Sequence, residues 1–178
     1  ELHRYFRQQK ERYGDDLYID EEVLRRAALA SQGLTEVAGT VAESWTQASN
    51  LAELESMIHD CVKCPLGETR NKFVFGVGNP HADVVIVGEA PGAEEDKRGE
   101  PFVGRAGQLL DKILEAVRFT REDVFICNIL KCRPQNNRDP QASEVEQCAP
   151  YLKRQLELLH RKILLAIGRI AAKTILRN

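Results

Sequence analysis

Two kinds of segment are missing from this 178-residue chain. It has no apolar run of the ~18 or more residues that a membrane-spanning helix needs, and no basic stretch followed by a short apolar core opens it. A membrane span and a signal peptide are therefore not indicated, and the cytoplasm is the expected compartment. Net charge is nearly absent too. At −2 it stands far from the strongly basic balance of a dedicated nucleic-acid binder. No internal repeat recurs at a fixed period.

The small net charge conceals a division. Residues 1–60 carry 6 Lys and Arg against 12 Asp and Glu, whereas the remainder carries 19 against 15. The acidic segment suits a protein partner and the basic remainder suits a polyanion such as DNA. Organisation follows the same line. "LHRYFRQQKERYG" and "DEEVLRRAALASQG" read as polar helices, the second capped by Asp20 and stopped by Gly33, and the small, polar "LTEVAGTVAESWTQASN" reads as a linker. Residues 1–50 are thus expected to be a helical and linker extension, and 51–178 the folded domain, a monomer.

From Asp83 strands and helices alternate. "DVVIVGEAPG" is an apolar run breaking into a Gly/Pro turn, as in a strand buried on both faces of a parallel sheet. "GRAGQLLDKILEAVRF" is a helix whose Leu109, Leu110, Ile113, Leu114 and Val117 are expected on one apolar face. "DVFICNILKC" is the second strand, "SEVEQCAPYLKRQLELLH" the second long helix and "KILLAIG" the third strand. This order predicts an α/β fold, a three-layer α/β/α sandwich around a parallel central sheet, with the ligand site at the carboxyl ends of the strands. "GEAPGAEED", "PFVGRAG" and "CNILKCRPQNN" fall at or just beyond those ends.

Of the five cysteines, Cys61 and Cys64 form a CxxC pair, Cys132 closes "NILKC" and Cys148 lies sixteen positions later. The wide second spacing is unlike the two short knuckles of a structural zinc site and fits a 4Fe-4S cubane held by four thiolates better. Cys127, in mid-strand, reads as a buried apolar thiol.

"CVKC", "GEAPGAEED", "PFVGRAGQLL", "NILKCRP" and the cysteine sixteen positions after Cys132 together resemble the family 4 uracil-DNA glycosylases, the iron–sulfur branch of their superfamily. The likeness runs from about Leu54 to the last residue. It implies hydrolysis of the N-glycosidic bond of uracil in single- or double-stranded DNA, with the base flipped into a tight pocket and an abasic site left behind. By the same resemblance, Phe102 stacks on the uracil ring and Asn128 reads its edge through both amide atoms. The backbone of Gly88, Glu89 and Ala90, continuing to Gly92, offers close approach and N–H donors. Glu89 either orients the attacking water, or stabilises positive charge on the sugar, or walls out the thymine methyl. Asp96 is the second candidate acid, against a reading as one end of a solvated charge run. Arg133 and Arg138 are candidate phosphate contacts, and Cys61, Cys64, Cys132 and Cys148 the cluster ligands, with a structural role.

One departure bears on activity. The family carries an HPxxxL-type motif after the third strand, whose histidine donates to the departing uracil, and this chain reaches Asn178 first. His3, His59, His81 and His160 stand in other contexts. A piece of a longer protein is expected, and the alternative is a cluster-bearing DNA-binding or interaction module that keeps the pocket and cuts weakly or not at all.

Overall fold

Apolar residues in unbroken succession form the two central strands, β2 (Val84–Gly88) and β3 (Val124–Asn128), which pair in parallel with Gly88 opposite Asn128. β4 (Ile163–Ala166) pairs in parallel with the other side of β2. A two-residue strand, β1 (Val77–Gly78), adds an antiparallel edge to β3 and gives the order β1-β3-β2-β4. The α/β sheet with helices on both faces is the expected one; the antiparallel edge is an addition, too short to register as a period in the sequence.

These coordinates are a computed structural model that describes residues 43–176. The two polar helices and most of the linker expected before Leu51 lie outside the described residues. Helices α1 (Leu51–Ile58), α2 (Leu66–Thr69), α3 (Ala93–Arg98), α4 (Arg105–Ala116), α5 (Ala142–Leu158) and α6 (Arg169–Leu176) surround the sheet. The Asn50 side chain caps α1 by accepting the Glu53 amide at 2.9 Å. A 3-10 turn at Ser44–Gln47 precedes it, and Ala48 is fully buried, so packing begins a few residues before α1. No described helix is long and apolar enough to cross a membrane.

Alternation along the strands divides the core. Val85, Val87, Phe125 and Cys127 pack with Leu54, Ile58, Tyr151, Leu152 and Leu156 from α1 and α5. Ile86, Val124 and Ile126 pack with Leu110 and Leu114 of α4. Truncating such a fully buried side chain to Ala costs about 2–5 kcal/mol. The wide apolar face expected on α4 is corrected here: only Leu110 and Leu114 reach the sheet, while Leu109, Ile113 and Val117 are exposed. β4 is only half-buried, with Leu165 exposed.

Candidate functional site

The carboxyl ends of β2 and β3 open into a cavity of about 460 Å³. Gly88, Glu89, Ala90, Phe102, Asn128 and Arg138 line it, all expected from the sequence to serve one site, together with Glu95 and Asn137. None of the described histidines lines it. Asn128 ends β3 almost fully buried, beside Gly88. A Cβ at Gly88 would stand 2.4 Å from Asn128 Oδ1 and 2.6 Å from Phe102 Cζ, so glycine is what lets the ring and the amide close around the strand end.

Phe102 is held in an unfavourable backbone conformation, with φ at 54°. Two features hold it there. Arg121 donates to the Pro101 carbonyl at 3.2 Å and to the Phe102 carbonyl, while its Nε is fixed at 2.7 Å on Asp111. Gly107 on α4 admits the Phe102 backbone so closely that a Cβ would lie 1.7 Å from its carbonyl oxygen. The result places the Phe102 side chain in the lining of the cavity.

Glu95 organises the loops of the cavity and was not singled out in the sequence. Its carboxylate is nearly buried and accepts the amides of Gly92 (3.1 Å), Val103 (2.9 Å) and Gly104 (2.8 Å), tying "GEAPG" to "PFVG". A glutamate three residues after Gly92, the residue capping α3, is the capping-box spacing, and that was the available signal. Convergence with residues 103 and 104 had no local signal.

Glu89 is half-buried, and desolvation, aided by the nearby Asp139 carboxylate, holds its pKa above the ordinary carboxylate value against the pull of Arg169. Asp139 and Arg169 themselves pair at 3.3 Å. Asp96 does not line this cavity. It is almost fully buried, and its two oxygens accept the Asn71 backbone amide at 2.9 Å and the Asn71 side-chain amide. With Arg133 it lines a neighbouring polar cavity of about 290 Å³. Arg138 is gripped in bidentate fashion by the buried Glu144 carboxylate, at 2.9 and 2.5 Å, which lowers the Glu144 pKa and raises that of Arg138.

The cysteines converge in a second region. Cys132 and Cys148 belong to the core, and Cys61 and Cys64 pack against it. The Lys131 amide donates to Cys148 Sγ at 3.3 Å, Tyr151 Oη to Cys61 Sγ at 3.3 Å, and Arg70 to Cys132 Sγ at 3.5 Å. Burial pushes the Cys132 thiol up to about 12 and the Cys148 thiol to about 11; Cys148 and Cys64 add to the first shift, Cys64 and Cys61 to the second, and Arg70 and Lys131 oppose them. Among the described residues no three His, Cys, Asp or Glu side chains stand close enough to hold a metal ion. Cys127 is fully buried in β3.

Lys131 is also fully buried, and among the described residues its ammonium donates to the carbonyls of Asn128 at 2.7 Å and of Phe75 at 3.3 Å. Burial depresses its pKa, and the thiols of Cys127, Cys148 and Cys132 oppose that shift. A buried cation without a carboxylate partner is costly unless something anionic sits beside it.

Residues 75–178 match the family model described as the Uracil DNA glycosylase superfamily. Among curated proteins, the chain is 51% identical over 126 residues to the type-4 uracil-DNA glycosylase of Archaeoglobus fulgidus, a match covering 71% of this chain and 63% of the relative. It is 49% identical over 127 residues to the type-4 enzyme of Pyrobaculum aerophilum, covering 71% and 65%, and 42% identical over 127 residues to that of Thermotoga maritima, covering 71% and 66%. The chain thus spans a little under two thirds of the length of these relatives. With the family match running over the sheet and through both loops that shape the cavity, the chain belongs to the uracil DNA glycosylase superfamily.

Proposed function

We propose that the protein is a DNA repair glycosylase that binds uracil, flipped out of DNA, in the 460 Å³ cavity and hydrolyses its N-glycosidic bond. The observation that carries this reading is the convergence of a forced aromatic, Phe102, and a buried amide, Asn128, at the ends of two parallel strands in a chain of this superfamily. Phe102 stacks on the base. The Asn128 amide donates to one uracil carbonyl and accepts from the ring N–H, a pattern that cytosine cannot match. Glu89, as a carboxylate, orients the water that attacks the sugar carbon as the bond to uracil breaks. Asp96, bound to Asn71, supports the loop instead of the reaction. Arg138, in the cavity lining, and Arg133, beside it in the same loop, contact the DNA backbone.

The thiol region fits a 4Fe-4S cluster in its donor set. Cys132 and Cys148 lie in one core with Cys61 and Cys64 packed against it, three hydrogen bonds reach their sulfurs, and among the described residues the buried Lys131 ammonium meets no carboxylate. Cys61, Cys64, Cys132 and Cys148 would hold it. Bound there, a cluster supplies a rigid, net-negative cross-link between the segment before the sheet and the loop after β3.

Incubation of iron-loaded protein with single-stranded DNA carrying one uracil tests the function. Alkali-sensitive breaks at uracil and none at thymine or cytosine are expected. Equal breakage at thymine, or none at all by the protein at its full natural length, contradicts the proposal.

A further inference from the structure

The polar cavity of about 290 Å³ beside the uracil cavity is used by no step above. Thr69, Asn71, Asp96, Arg133, Gln135 and Asn136 line it. Two chain segments contribute neighbouring residues to both cavities. In one, Asp96 lines the polar cavity while its neighbour Glu95 lines the uracil cavity. In the other, Arg133, Gln135 and Asn136 line the polar cavity, whereas Pro134, Asn137 and Arg138 line the uracil cavity.

The second segment is built to split in this way. Asn136 and Asn137 both adopt left-handed backbone, φ 55° and 53°, a conformation disfavoured for residues other than glycine and best tolerated by asparagine. The turn sends consecutive side chains to different cavities, and Arg133 Nε locks it by donating to Asn137 Oδ1 at 2.8 Å. On the polar side, Asp96 and Asn71 satisfy one another. Among the described residues the side-chain amides of Gln135 and Asn136, both exposed, make no hydrogen bond within the protein, so the polar cavity offers paired donors and acceptors to a ligand. Its one guanidinium and one carboxylate leave it without net charge. Paired amide donors and acceptors in a neutral cleft match the edge of a nucleobase better than they match a phosphate.

Resting on the uracil reading above, we infer that the polar cavity is a subsite for the base next to the flipped uracil on the same strand, read through Gln135 and Asn136. One cavity takes one base, so the subsite serves one neighbour, on either the 5′ or the 3′ side but not both. The neighbouring phosphate stays at the rim near Arg133.

The test measures affinity of the iron-loaded protein for short single-stranded oligonucleotides holding a non-hydrolysable 2′-fluorouridine. The neighbour on each side is A, C, G, T or an abasic unit, and thymidine replaces the fluorouridine in the controls. An abasic neighbour keeps the phosphate and removes the base. It is expected to weaken binding about fivefold or more on one side only, the scale of one stacked and hydrogen-bonded base. Gln135→Ala and Asn136→Gly, the second keeping the left-handed turn, each reduce that dependence to about twofold or less while the preference for uracil over thymine stays. Equal binding with and without the neighbouring base, equal dependence on both sides, or dependence unchanged in both variants overturns the subsite while leaving the function intact. Loss of uracil-over-thymine preference in the unsubstituted protein overturns the function itself, and the subsite with it.

Discussion

The cavity proposed to take uracil and the thiol region are built on opposite terms. Around the cavity the protein supplies its own polar closure: Glu95 takes up three backbone amides, Arg121 holds the Phe102 bend, and Glu144 neutralises Arg138. Around the thiols it does not. Among the described residues the Lys131 ammonium meets carbonyls and no carboxylate, and burial raises the pKa of the Cys132 and Cys148 thiols. The first region is preorganised by the fold, whereas the second, on the proposal above, would be completed by an iron–sulfur core whose four thiolates make the whole net negative beside Lys131.

The largest effect should come from breaking the region that depends on a bound group. Cys132→Ser is expected to lose the iron and the broad visible absorbance, and to lower the unfolding midpoint by about 10 °C or more, as loss of a structural metal group does. Cys127→Ala leaves the colour unchanged. A Cys132→Ser protein with full iron content and an unaltered midpoint would remove that residue from the ligand set.

Breaking the self-sufficient region comes next. Glu95→Ala leaves the Gly92, Val103 and Gly104 amides without their acceptor, at about 1–3 kcal/mol for a buried unsatisfied group. Uracil affinity is expected to fall about 100-fold with iron content unchanged, so the two regions fail separately. Glu95→Gln, which can still accept, recovers part of the loss. Loss of iron in Glu95→Ala would show that the two regions are not independent.

That contrast also explains what was legible in the sequence. β2 and β3 stood out because strands buried on both faces are continuous apolar runs, and Phe102, Asn128 and Glu89 were reached through motifs at their ends. Glu95 was missed because its partners lie up to nine residues away and converge only after α3 has formed. Leu109, Ile113 and Val117 fall on the apolar face read from periodicity yet stay exposed, because periodicity reports a helix but not how much of its girth the sheet covers. Lys131, lying between "NIL" and Cys132, carried no sign of burial, since lysine is almost always a surface residue.

The smallest effect concerns electrostatics within the cavity. If Glu89 acts as the proposed carboxylate, its raised pKa means that excision should fall as pH drops through a midpoint above the ordinary carboxylate value. Desolvation is the larger cause and Asp139 the second, so Asp139→Asn should move that midpoint down by less than about one unit. Rate-against-pH profiles of the two proteins check the sign; an upward shift contradicts it.

The account rests most heavily on Asn128 reading the base at the end of β3. The direct measurement is the ratio of affinities for single-stranded DNA carrying 2′-fluorouridine and its cytidine counterpart, in the unsubstituted protein and in Asn128→Asp. An aspartate accepts but does not donate, so it gives up the uracil carbonyl and suits the cytosine amino group. The preference for uracil is expected to fall by about 10- to 100-fold, the worth of one paired edge contact. An unchanged ratio in Asn128→Asp, with the protein folded and its iron retained, would take Asn128 out of base recognition and contradict the account.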